Sequence, residues 1–389
     1  MPSPSSSSPA STVPYSGNSI IDALISGYKW GEAVGSSVSL TYSFPWLNGA
    51  NAWFYGYKGA PYSSANEPGA AQHSALNSTQ QLAASQALTT WSNVANVKFT
   101  QVTDTQSSVG DIRFAFSSAL VAPVWGWASI PNSYLPNAGD IWITSSYANT
   151  NNWSLGSFNF EGLIHEIGHA LGLKHPFDQV PTLTKSLDNS QFTVMSYTQP
   201  TNNLWQAQTI YPSTPMVLDI LAMQYLYGAN YNFNAGDTTY TFDPQSPFFK
   251  TIWDGSGIDT IDISNFSTDC RVDLTPGTYS SIRYAFLANS NKDAATDTYD
   301  GVNNLGIAYG CFIENVLCGS GNNIVVGNNI IPVSVFLGDD QKICTGKNLL
   351  LTPGNYASYL WQDNSTASSY LVTQAGTYSV QVTNAAGCK

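Results

Sequence analysis

Charged residues are scarce in this sequence, and the few that occur are unevenly divided by sign. Of 389 residues, 10% are charged, with 13 Lys and Arg against 25 Asp and Glu, so the formal net charge is −12. This balance argues against a nucleic-acid-binding protein, which presents a basic face. It is compatible with sites for divalent cations, which prefer carboxylate oxygen. The net charge of −12 is explained equally well by a surface whose charge keeps the protein soluble.

Long apolar runs and an N-terminal targeting signal are also missing. No run of 18 or more apolar residues occurs, so we expect no membrane span. The first residues, MPSPSSSSPASTVPYSG, have neither the basic start nor the apolar stretch of a signal peptide. Their Ser and Pro content predicts a disordered tail or a propeptide remnant over residues 1–17. An exported form would have lost its signal or would use another export route.

Regular elements are predicted from hydrophobic periodicity along the rest of the chain, in which hydrophobic residues make up 43%. Helices are predicted at 71–95, which is rich in Ala, Gln and Leu, and at 215–228. Alternating segments predict strands at 37–46, 97–102, 111–117 and 139–145. We therefore expect a mixed sheet with a long helix across it in the first half of the chain.

The pattern changes twice in the second half of the chain. From about Asn230, short strands and turns of Gly, Asp and Asn replace the helices. Near Ile331 a run of short strands with regularly spaced turns begins, which is typical of a small β-sandwich. The chain is therefore predicted to be an α+β protein with four segments, 1–17, 18–229, 230–331 and 332–389.

Histidine is scarce, and its distribution is uneven. Only four histidines occur, and His165, His169 and His175 all fall in the segment HEIGHALGLKHP. The apolar spacing predicts a helix here, on which residues four apart lie side by side, about 6 Å apart along the axis. Gly172 can end the helix in the left-handed conformation and let His175 return toward the other two. Three imidazoles and one open position are the ligand set of a catalytic zinc.

Glu166 follows the first of these histidines and lies on the flank of the same helix face. It is too close in sequence to be a convenient ligand, but it is well placed to act as the general base that deprotonates a metal-activated water. The alternative is a helix that carries two polar histidines near a loop histidine, and the scarcity of histidine makes it less favoured. His73 lies outside the cluster and is interpreted as an ordinary surface histidine.

The segment HEIGHALGLKHP matches the complete metzincin motif HExxHxxGxxH, and TVMSYTQP at 193–200 resembles the methionine turn of the same enzymes. With Tyr197 two positions after Met195, the chain is similar to the serralysin branch, in peptidase family M10. The resemblance implies one catalytic zinc, with Tyr197 as a further, displaceable ligand that hydrogen-bonds the oxyanion, and with Met195 packed beneath the site. Three more segments resemble serralysins: 16–31, 215–230 and 308–328.

The segment WDGSGIDTIDIS at 253–264 resembles a calcium-binding turn of serralysins. The resemblance implies structural calcium held by carbonyl and side-chain oxygen. The implied ligands are Asn234, Asp237, Asp254, Ser256, Gly257, Asp259, Phe312 and Glu314. A hairpin turn with surface carboxylates is the alternative. Only one copy of the family's glycine-rich nonapeptide repeat occurs, within GSGNNIVVGN, and it has Asn323 where Asp is usual. A truncated β-roll is therefore expected rather than a full one.

Residues 332–389 resemble the Ig-like or PKD-like modules of bacterial secreted and surface proteins. Cys344 and Cys388 stand near the two ends of this segment, and a disulfide between them is as well supported as its absence. The other three cysteines, Cys270, Cys311 and Cys318, are expected to be small buried hydrophobic residues.

The resemblance as a whole implies a secreted, extracellular, monomeric zinc metalloendopeptidase that acts on proteins and peptides, with no nucleic-acid partner. The strand at 139–145 is expected to lie along the cleft and to pair with an extended substrate. One alternative is a catalytically inactive metzincin scaffold that acts as an extracellular binding or adhesion protein, although the intact Glu166 argues against it. A second is an esterase or amidase that uses the same zinc site on a small substrate.

Overall fold

The computed structural model describes residues 6–45, 73–105, 107–121, 123–200, 210–284, 301–328, 335, 337, 341–342 and 347–383. The chain separates into two compact units, Met1–Val326 and Gly327–Lys389, so the boundary between them lies near the predicted one at 331/332. The predicted division at 229/230 falls inside the first unit, where one hydrophobic cluster extends from Val13 to Ile313. Each helix of the described residues is too short or too polar to cross a membrane.

Four α-helices occur among the described residues, all in the first unit: α1 (Ser19–Leu24), α2 (Ser78–Val94), α3 (Phe158–Leu171) and α4 (Val217–Tyr227). The predicted start of α2 at residue 71 is wrong, because Asn77 caps the helix. The side chain of Asn77 accepts a hydrogen bond from Gln80 N, and the side chain of Gln80 accepts one from Asn77 N. Such a capping box satisfies two N–H groups that the helix itself cannot bond.

The strands before α3 are β1 (Ala10–Thr12), β2 (Tyr28–Trp30), β3 (Val38–Ser43), β4 (His73–Ser74), β5 (Val97–Gln101), β6 (Ile112–Ser117), β7 (Gly126–Ala128) and β8 (Asp140–Thr144). Six of them form one sheet in the order β5-β3-β6-β8-β7, with β4 paired to β6. The strands β3, β5, β6 and β8 are parallel, whereas β4 and β7 are antiparallel to their neighbours. The predicted mixed sheet and the α+β class are confirmed.

The expectation that strand 139–145 lies at the cleft is wrong. This segment forms β8, which pairs with β6 on one side and with β7 on the other, so its hydrogen-bonding groups are already used. All five residues of β8 are buried. The strand at the end of this sheet is β7, the preceding strand in the chain, which pairs with β8 in antiparallel register. Periodicity within β8 alone does not show that another strand lies beyond it.

The N-terminal segment packs on the end of α3. The sequence predicts disorder over residues 1–17, but β1 pairs with β2 in antiparallel register, with Ala10 opposite Trp30. The indole Nε1 of Trp30 donates to the carbonyl oxygen of Ala170 at 2.7 Å. On the same helix end, Tyr227 Oη donates to Leu171 O at 2.7 Å. These bonds satisfy carbonyl groups that the last turn of a helix leaves unpaired.

Short strands dominate the rest of the first unit: β9 (Thr239–Thr241), β10 (Lys250–Ile252), β11 (Thr260–Asp262), β12 (Arg271–Asp273), β13 (Tyr279–Ser280), β14 (Leu305–Ile307), β15 (Asn315–Leu317) and β16 (Ile324–Val326). Parallel pairing prevails among them: β11 pairs with β9 and β15, β10 with β14, and β12 with β16. Cys270 and Cys311 are buried as predicted. Cys318 is exposed instead, because it follows β15, which has β11 on one side only in the described sheet.

The second unit contains β17 (Leu349–Leu351), β18 (Ser358–Trp361), β19 (Tyr370–Val372) and β20 (Val380–Thr383). The strands form two antiparallel pairs, β17 with β19 and β18 with β20. Trp361, Val372 and Val382 are buried and provide apolar contacts for this small unit. Cys344 and Cys388 lie outside the described residues, so the predicted disulfide stays a prediction.

Candidate metal centre

Helix α3 carries the first two histidines of the motif. Ser157 caps the helix by accepting a hydrogen bond from Phe160 N at 3.2 Å. The apolar residues at three- and four-residue spacing are buried as predicted, so the helix is fixed in rotation by its packing. His165 and His169, four residues apart, consequently project side by side, with ring centroids 4.7 Å apart.

Gly172 ends α3 in the left-handed conformation, with φ +111°, as predicted. Its N–H donates to the carbonyl oxygen of His169 at 2.9 Å. A Cβ atom at this position would lie 2.2 Å from the carbonyl oxygen of Tyr28, so only glycine fits against the N-terminal segment. The chain therefore leaves the helix axis here and is free to bring His175 back toward α3.

The structure brings the three predicted ligands together. The Nε2 atoms of His169 and His175 are 3.0 Å apart, and one ligand atom from each of the three histidines lies within 4.8 Å of the others. Among the described residues, this is the one group of three or more His, Cys, Asp or Glu side chains close enough to share a cation. Its chemistry is that of a zinc site with an open position.

Hydrogen bonds to the opposite ring nitrogens fix the tautomer of each imidazole. Nδ1 of His165 donates to Val194 O at 2.7 Å, and Nδ1 of His169 donates to Leu173 O at 3.0 Å. Nδ1 of His175 donates to Oδ2 of Asp178 at 2.7 Å. The Nε2 atoms are left to face the centre, where those of His169 and His175 lie 3.0 Å apart and that of His175 also lies 2.7 Å from Tyr197 Oη. Nitrogen atoms gathered in this way fit a metal ion as its donors.

Burial also keeps the first two imidazoles neutral. Desolvation lowers the pKa of His165 to about 4, although the hydrogen bond to Val194 opposes the shift. Desolvation, and then the neighbouring histidines, lower the pKa of His169 well below its ordinary value. Neutral imidazole is the form that binds a metal, so these ligands are in the correct protonation state at neutral pH.

The turn at Met195 lies beneath the histidines. Met195 is fully buried, and a Cβ atom on Gly168 of α3 would lie 2.7 Å from its Sδ atom. Asp219 of α4, also fully buried, accepts hydrogen bonds from Thr193 Oγ1 at 2.5 Å and from Val194 N at 2.8 Å. Met195 therefore packs under the site as the family resemblance implies, and α4 holds the turn in place.

Glu166 faces the centre from its flank and is 5% exposed. Its Oε2 atom has no hydrogen-bond partner among the described residues. Desolvation raises the pKa of its carboxyl to about 8. On the other side, Gly126 of β7 approaches so closely that a Cβ atom would lie 2.8 Å from Oε1. The unpaired oxygen is therefore held between α3 and the end strand of the sheet, where it can exchange a proton with a bound molecule.

Tyr197 lies on the solvent side of the three histidines. Its hydroxyl donates to Nε2 of His175 at 2.7 Å, and its ring stacks on His165 at a centroid distance of 5.6 Å. Desolvation, and then the carboxyls of Glu166 and Asp178, raise the pKa of Tyr197 to about 12, so the phenol keeps its proton at neutral pH. The side chain is 68% exposed and therefore has room to move away from His175. A cleft of about 290 Å³ is lined by β7, Glu166, His169, His175 and Tyr197.

Two acidic residues of the centre were missed in the sequence analysis. Asp178 orients His175, and Asp219 anchors the turn that orients His165. A signal for Asp219 existed, because it is a lone carboxylate in the apolar segment PMVLDILAMQYLYG. Asp178 carried a weaker signal, as an acidic residue three positions after a candidate ligand. His73, in contrast, lies exposed in β4, as predicted for a surface histidine.

The structure gathers most of the predicted calcium ligands around the turn at 254–259. Asp254 accepts from Ser256 N at 3.1 Å, Asp237 from Ile258 N at 2.9 Å, and Glu314 from Asp259 N at 2.7 Å. Desolvation, and then the nearby carboxyls of Asp254 and Glu314, raise the pKa of Asp259 to about 7. These carboxyl groups do not come as close together as the three histidines do, so the calcium site stays a prediction. The remaining predicted ligands lie in or beside the same segments: Asn234, Gly257 and Phe312.

Comparison with known families gives two adjoining matches. Residues 69–197 match the family model described as matrixin, of peptidase family M10. Residues 218–370 match the model described as the peptidase M10 serralysin C terminal. The first match ends at Tyr197, so it contains the whole histidine centre. The second begins in α4 and extends into the second unit.

Individual relatives agree with these matches. A serralysin of Photorhabdus luminescens is 32% identical over 281 residues, which are 66% of this chain and 54% of the relative. The metallopeptidase AprA of Pseudomonas marginalis is 32% identical over 327 residues, 76% of this chain and 61% of the relative. A serralysin of Proteus mirabilis is 32% identical over 332 residues, which are 76% of this chain and 60% of the relative. The chain thus spans little more than half the length of the relatives it matches.

Proposed function

The chain belongs to the serralysin-type metallopeptidases of family M10, and from this premise we propose that it is a zinc-dependent endopeptidase that hydrolyses peptide bonds of proteins. One observation carries the proposal: ring nitrogen atoms of three histidines converge beside a buried carboxylate oxygen that has no partner among the described residues. The imidazoles of His165, His169 and His175 would hold the zinc. When bound, zinc would supply Lewis-acid chemistry, polarising the substrate carbonyl and lowering the pKa of water.

Glu166 is the proton carrier of the proposed reaction. Its Oε2 atom takes a proton from the attacking water and then gives it to the leaving amine nitrogen. The raised pKa of Glu166 matches this double role, because a group that accepts and returns a proton works best near the operating pH. Its position against Gly126 holds the carboxylate in place, since the backbone of β7 leaves no room on that side.

Tyr197 is proposed to stabilise negative charge on the substrate. Its protonated hydroxyl, now bonded to His175, would turn toward the carbonyl oxygen as that atom gains charge. Both the exposure of the side chain and the high pKa of the phenol support this role.

An extended substrate is proposed to pair with β7 rather than with β8. In the described sheet, β7 has a neighbour on one side only, and it lines the cleft beside Glu166. A chain added to this edge would be recognised through main-chain hydrogen bonds, which do not depend on side-chain identity. Broad sequence specificity follows from this mode of binding.

Several finer assignments accompany this proposal. Structural calcium is proposed at the acidic turn, on the support of the neighbouring carboxyls of Asp254 and Asp259. The parallel strand pairs of that region are proposed to form a truncated β-roll. Residues 332–389 are proposed to form an Ig-like or PKD-like sandwich, supported by two antiparallel strand pairs. The protein is proposed to be monomeric, extracellular and without a nucleic-acid partner, in line with its few charges and its acidic balance.

The deciding experiment combines elemental analysis of the purified protein with digestion of casein, with and without a zinc chelator. We expect one zinc per chain and cleavage that stops on chelation and returns with zinc. The variant Glu166→Gln should retain zinc and lose roughly 10²- to 10⁴-fold in turnover. His169→Ala should lose the metal. A folded protein that cannot be loaded with zinc contradicts the proposal.

Two outcomes would favour the other functions. A zinc-loaded protein without turnover on any peptide would favour the binding or adhesion scaffold. Cleavage confined to small esters or amides would favour an esterase or amidase. The unpaired Glu166 Oε2 speaks against the inactive scaffold, because a protein that does not use this carboxylate has no reason to bury it without a partner.

A further inference from the structure

The ammonium group of Lys174 is surrounded by backbone carbonyl oxygens next to the metal centre. Its Nζ donates to Ala23 O at 2.8 Å, Asp178 O at 2.6 Å, Gln179 O at 3.1 Å and Pro181 O at 3.1 Å. We call these four oxygen atoms the carbonyl cage. Because an ammonium has three protons and the cage has four acceptors, the arrangement is that of a coordinated cation rather than of a single hydrogen bond.

The cage is formed mainly by the loop that follows His175. Three of its oxygens come from residues 178, 179 and 181, and the fourth comes from α1. Gln179 has φ +45°, a conformation that non-glycine residues seldom adopt. The loop thus accepts an unfavourable backbone conformation while its carbonyls turn toward one point. The main chain of Lys174 is itself anchored, since its N–H donates to Leu24 O at 2.7 Å.

The cage connects directly to two metal-binding histidines. The backbone carbonyl of Asp178 accepts from Lys174, while its Oδ2 atom accepts from Nδ1 of His175 at 2.7 Å. On the other side, the carbonyl of Leu173 accepts from Nδ1 of His169 at 3.0 Å. Lys174 therefore lies between two residues that orient ligands, and its ammonium holds one of them by the backbone.

We propose that Lys174 is a positioning residue that serves as a built-in cation for the loop 175–181 and thereby holds Asp178 where it orients His175 for metal binding. The proposal rests on the zinc-dependent function proposed above. Nothing in the motif HExxHxxGxxH specifies this lysine, because it occupies one of the unspecified positions. It acts through Asp178 and is not itself one of the proposed metal ligands.

The first test measures zinc affinity by competition with a chelator. Lys174→Met removes the ammonium but keeps an unbranched apolar side chain, and zinc should bind about 10- to 100-fold more weakly, as when the partner of a ligating histidine is lost. Lys174→Arg, which restores a cation, should recover part of the affinity. Lys185→Met is the matched control, because Lys185 is exposed and lies in the same region of the chain. Equal affinity in Lys174→Met and Lys185→Met overturns the proposal.

The second test asks whether Lys174 acts through Asp178. If it does, the double variant Lys174→Met with Asp178→Asn should bind zinc no more weakly than the worse single variant, since both changes remove the same orientation of His175. If the losses of zinc affinity in the two single variants multiply in the double variant, the proposed action of Lys174 through Asp178 is overturned. In Lys174→Ala, a small alkylammonium such as propylammonium should enter the carbonyl cage and restore zinc affinity. A simple loss of stability would not respond to this additive, so absence of rescue also counts against a cation site.

A third measurement separates this proposal from the proposed function. Amide hydrogen exchange of residues 175–181 is followed in the metal-free protein, where neither zinc nor activity contributes. Lys174→Met should exchange faster than wild type throughout this loop, and Lys185→Met should match wild type. If amide exchange of residues 175–181 is unchanged in Lys174→Met, the carbonyl cage is overturned, whatever the zinc affinity of that variant. Faster exchange in a protein that binds no zinc would retain the cage and overturn the proposed function alone.

Discussion

The carboxylate of Asp219 on α4 accepts a hydrogen bond from the backbone N–H of Val194 at 2.8 Å, and Val194 in turn contacts His165 of the metal centre. The carbonyl of the same Val194 accepts from Nδ1 of His165 at 2.7 Å. Asp219 also accepts from Met216 N at 2.8 Å and from Thr193 Oγ1 at 2.5 Å. A side chain that is remote from the cleft thus determines the position of the acceptor that fixes the tautomer of His165.

Asp219→Asn should lower the free energy of unfolding and weaken zinc binding. The amide replaces one acceptor oxygen with a donor, so at least one buried N–H or O–H loses its partner, at a cost of about 1–3 kcal/mol. Urea unfolding of the metal-free protein gives the first quantity, and chelator competition gives the second. Asp243→Asn is the control, since Asp243 is exposed and water can replace its bonds to Gln245 N and Ser246 Oγ. Equal effects of the two substitutions would show that Asp219 has no special role.

The metal-free protein should lose stability with rising pH through Glu166. Desolvation raises the pKa of Glu166 from 4.5 to about 8, so folding favours the neutral acid. The stability it contributes is complete below pH 4.5 and is lost as the pH rises through about 8, a change on the order of 4 kcal/mol. Thermal melts of wild type and Glu166→Gln at pH 5 and pH 9 measure it.

In that comparison, Glu166→Gln should gain stability relative to wild type as the pH rises, because its amide stays neutral at both values. The same substitution at exposed Glu32 is the control and should show no comparable gain. A constant difference between wild type and Glu166→Gln across this range would show that the carboxyl is solvated or paired in the folded protein.

Tyr197→Phe should retain zinc and slow catalysis. The substitution removes the hydroxyl that donates to His175 Nε2 but leaves the ring that stacks on His165. Loss of one donor to a developing oxyanion costs about 10²- to 10³-fold in kcat, with little change in KM. Steady-state kinetics on a fluorogenic peptide measures both, and Tyr134→Phe, at a residue that is 80% exposed, is the control. An unchanged kcat would remove Tyr197 from the reaction.

Calcium should raise the melting temperature of the zinc-loaded protein. An ion bound only in the folded state adds about 2.7 kcal/mol when its concentration is 100 times the dissociation constant. Asp259→Asn should abolish the increase, because it removes one of the two neighbouring carboxylates at the turn. Asp262→Asn, three residues further along in β11, should keep it. Equal melting temperatures with and without calcium in wild type would favour the hairpin-turn interpretation.

The local parts of the site were predictable because their causes lie within a few residues of each other. The periodicity of α3, the pairing of His165 with His169, and the chain reversal at Gly172 all depend on helix geometry within HEIGHALGLKHP. The start of α2 was missed although its cause is also local, since the capping box at Asn77 and Gln80 is visible in the sequence. Helix-forming residues such as Ala75 and Leu76 continue before Asn77, so composition does not mark where the helix begins, whereas the cap does.

The sequence by itself determined which three imidazoles come together, because spacing along one helix and one glycine bring them to one side of α3. Only the tertiary structure decided which groups orient those imidazoles and which strand ends the sheet beside them. The pairing of β7 with β8 makes β7 the end strand, although periodicity within β8 does not record it. Asp219 contacts the turn at Val194 from a different helix, and the carbonyl oxygen of Tyr28 leaves no room for a side chain at Gly172. The last two contacts join residues far apart in the chain, and no periodicity within a single segment records which distant segment will pack against it.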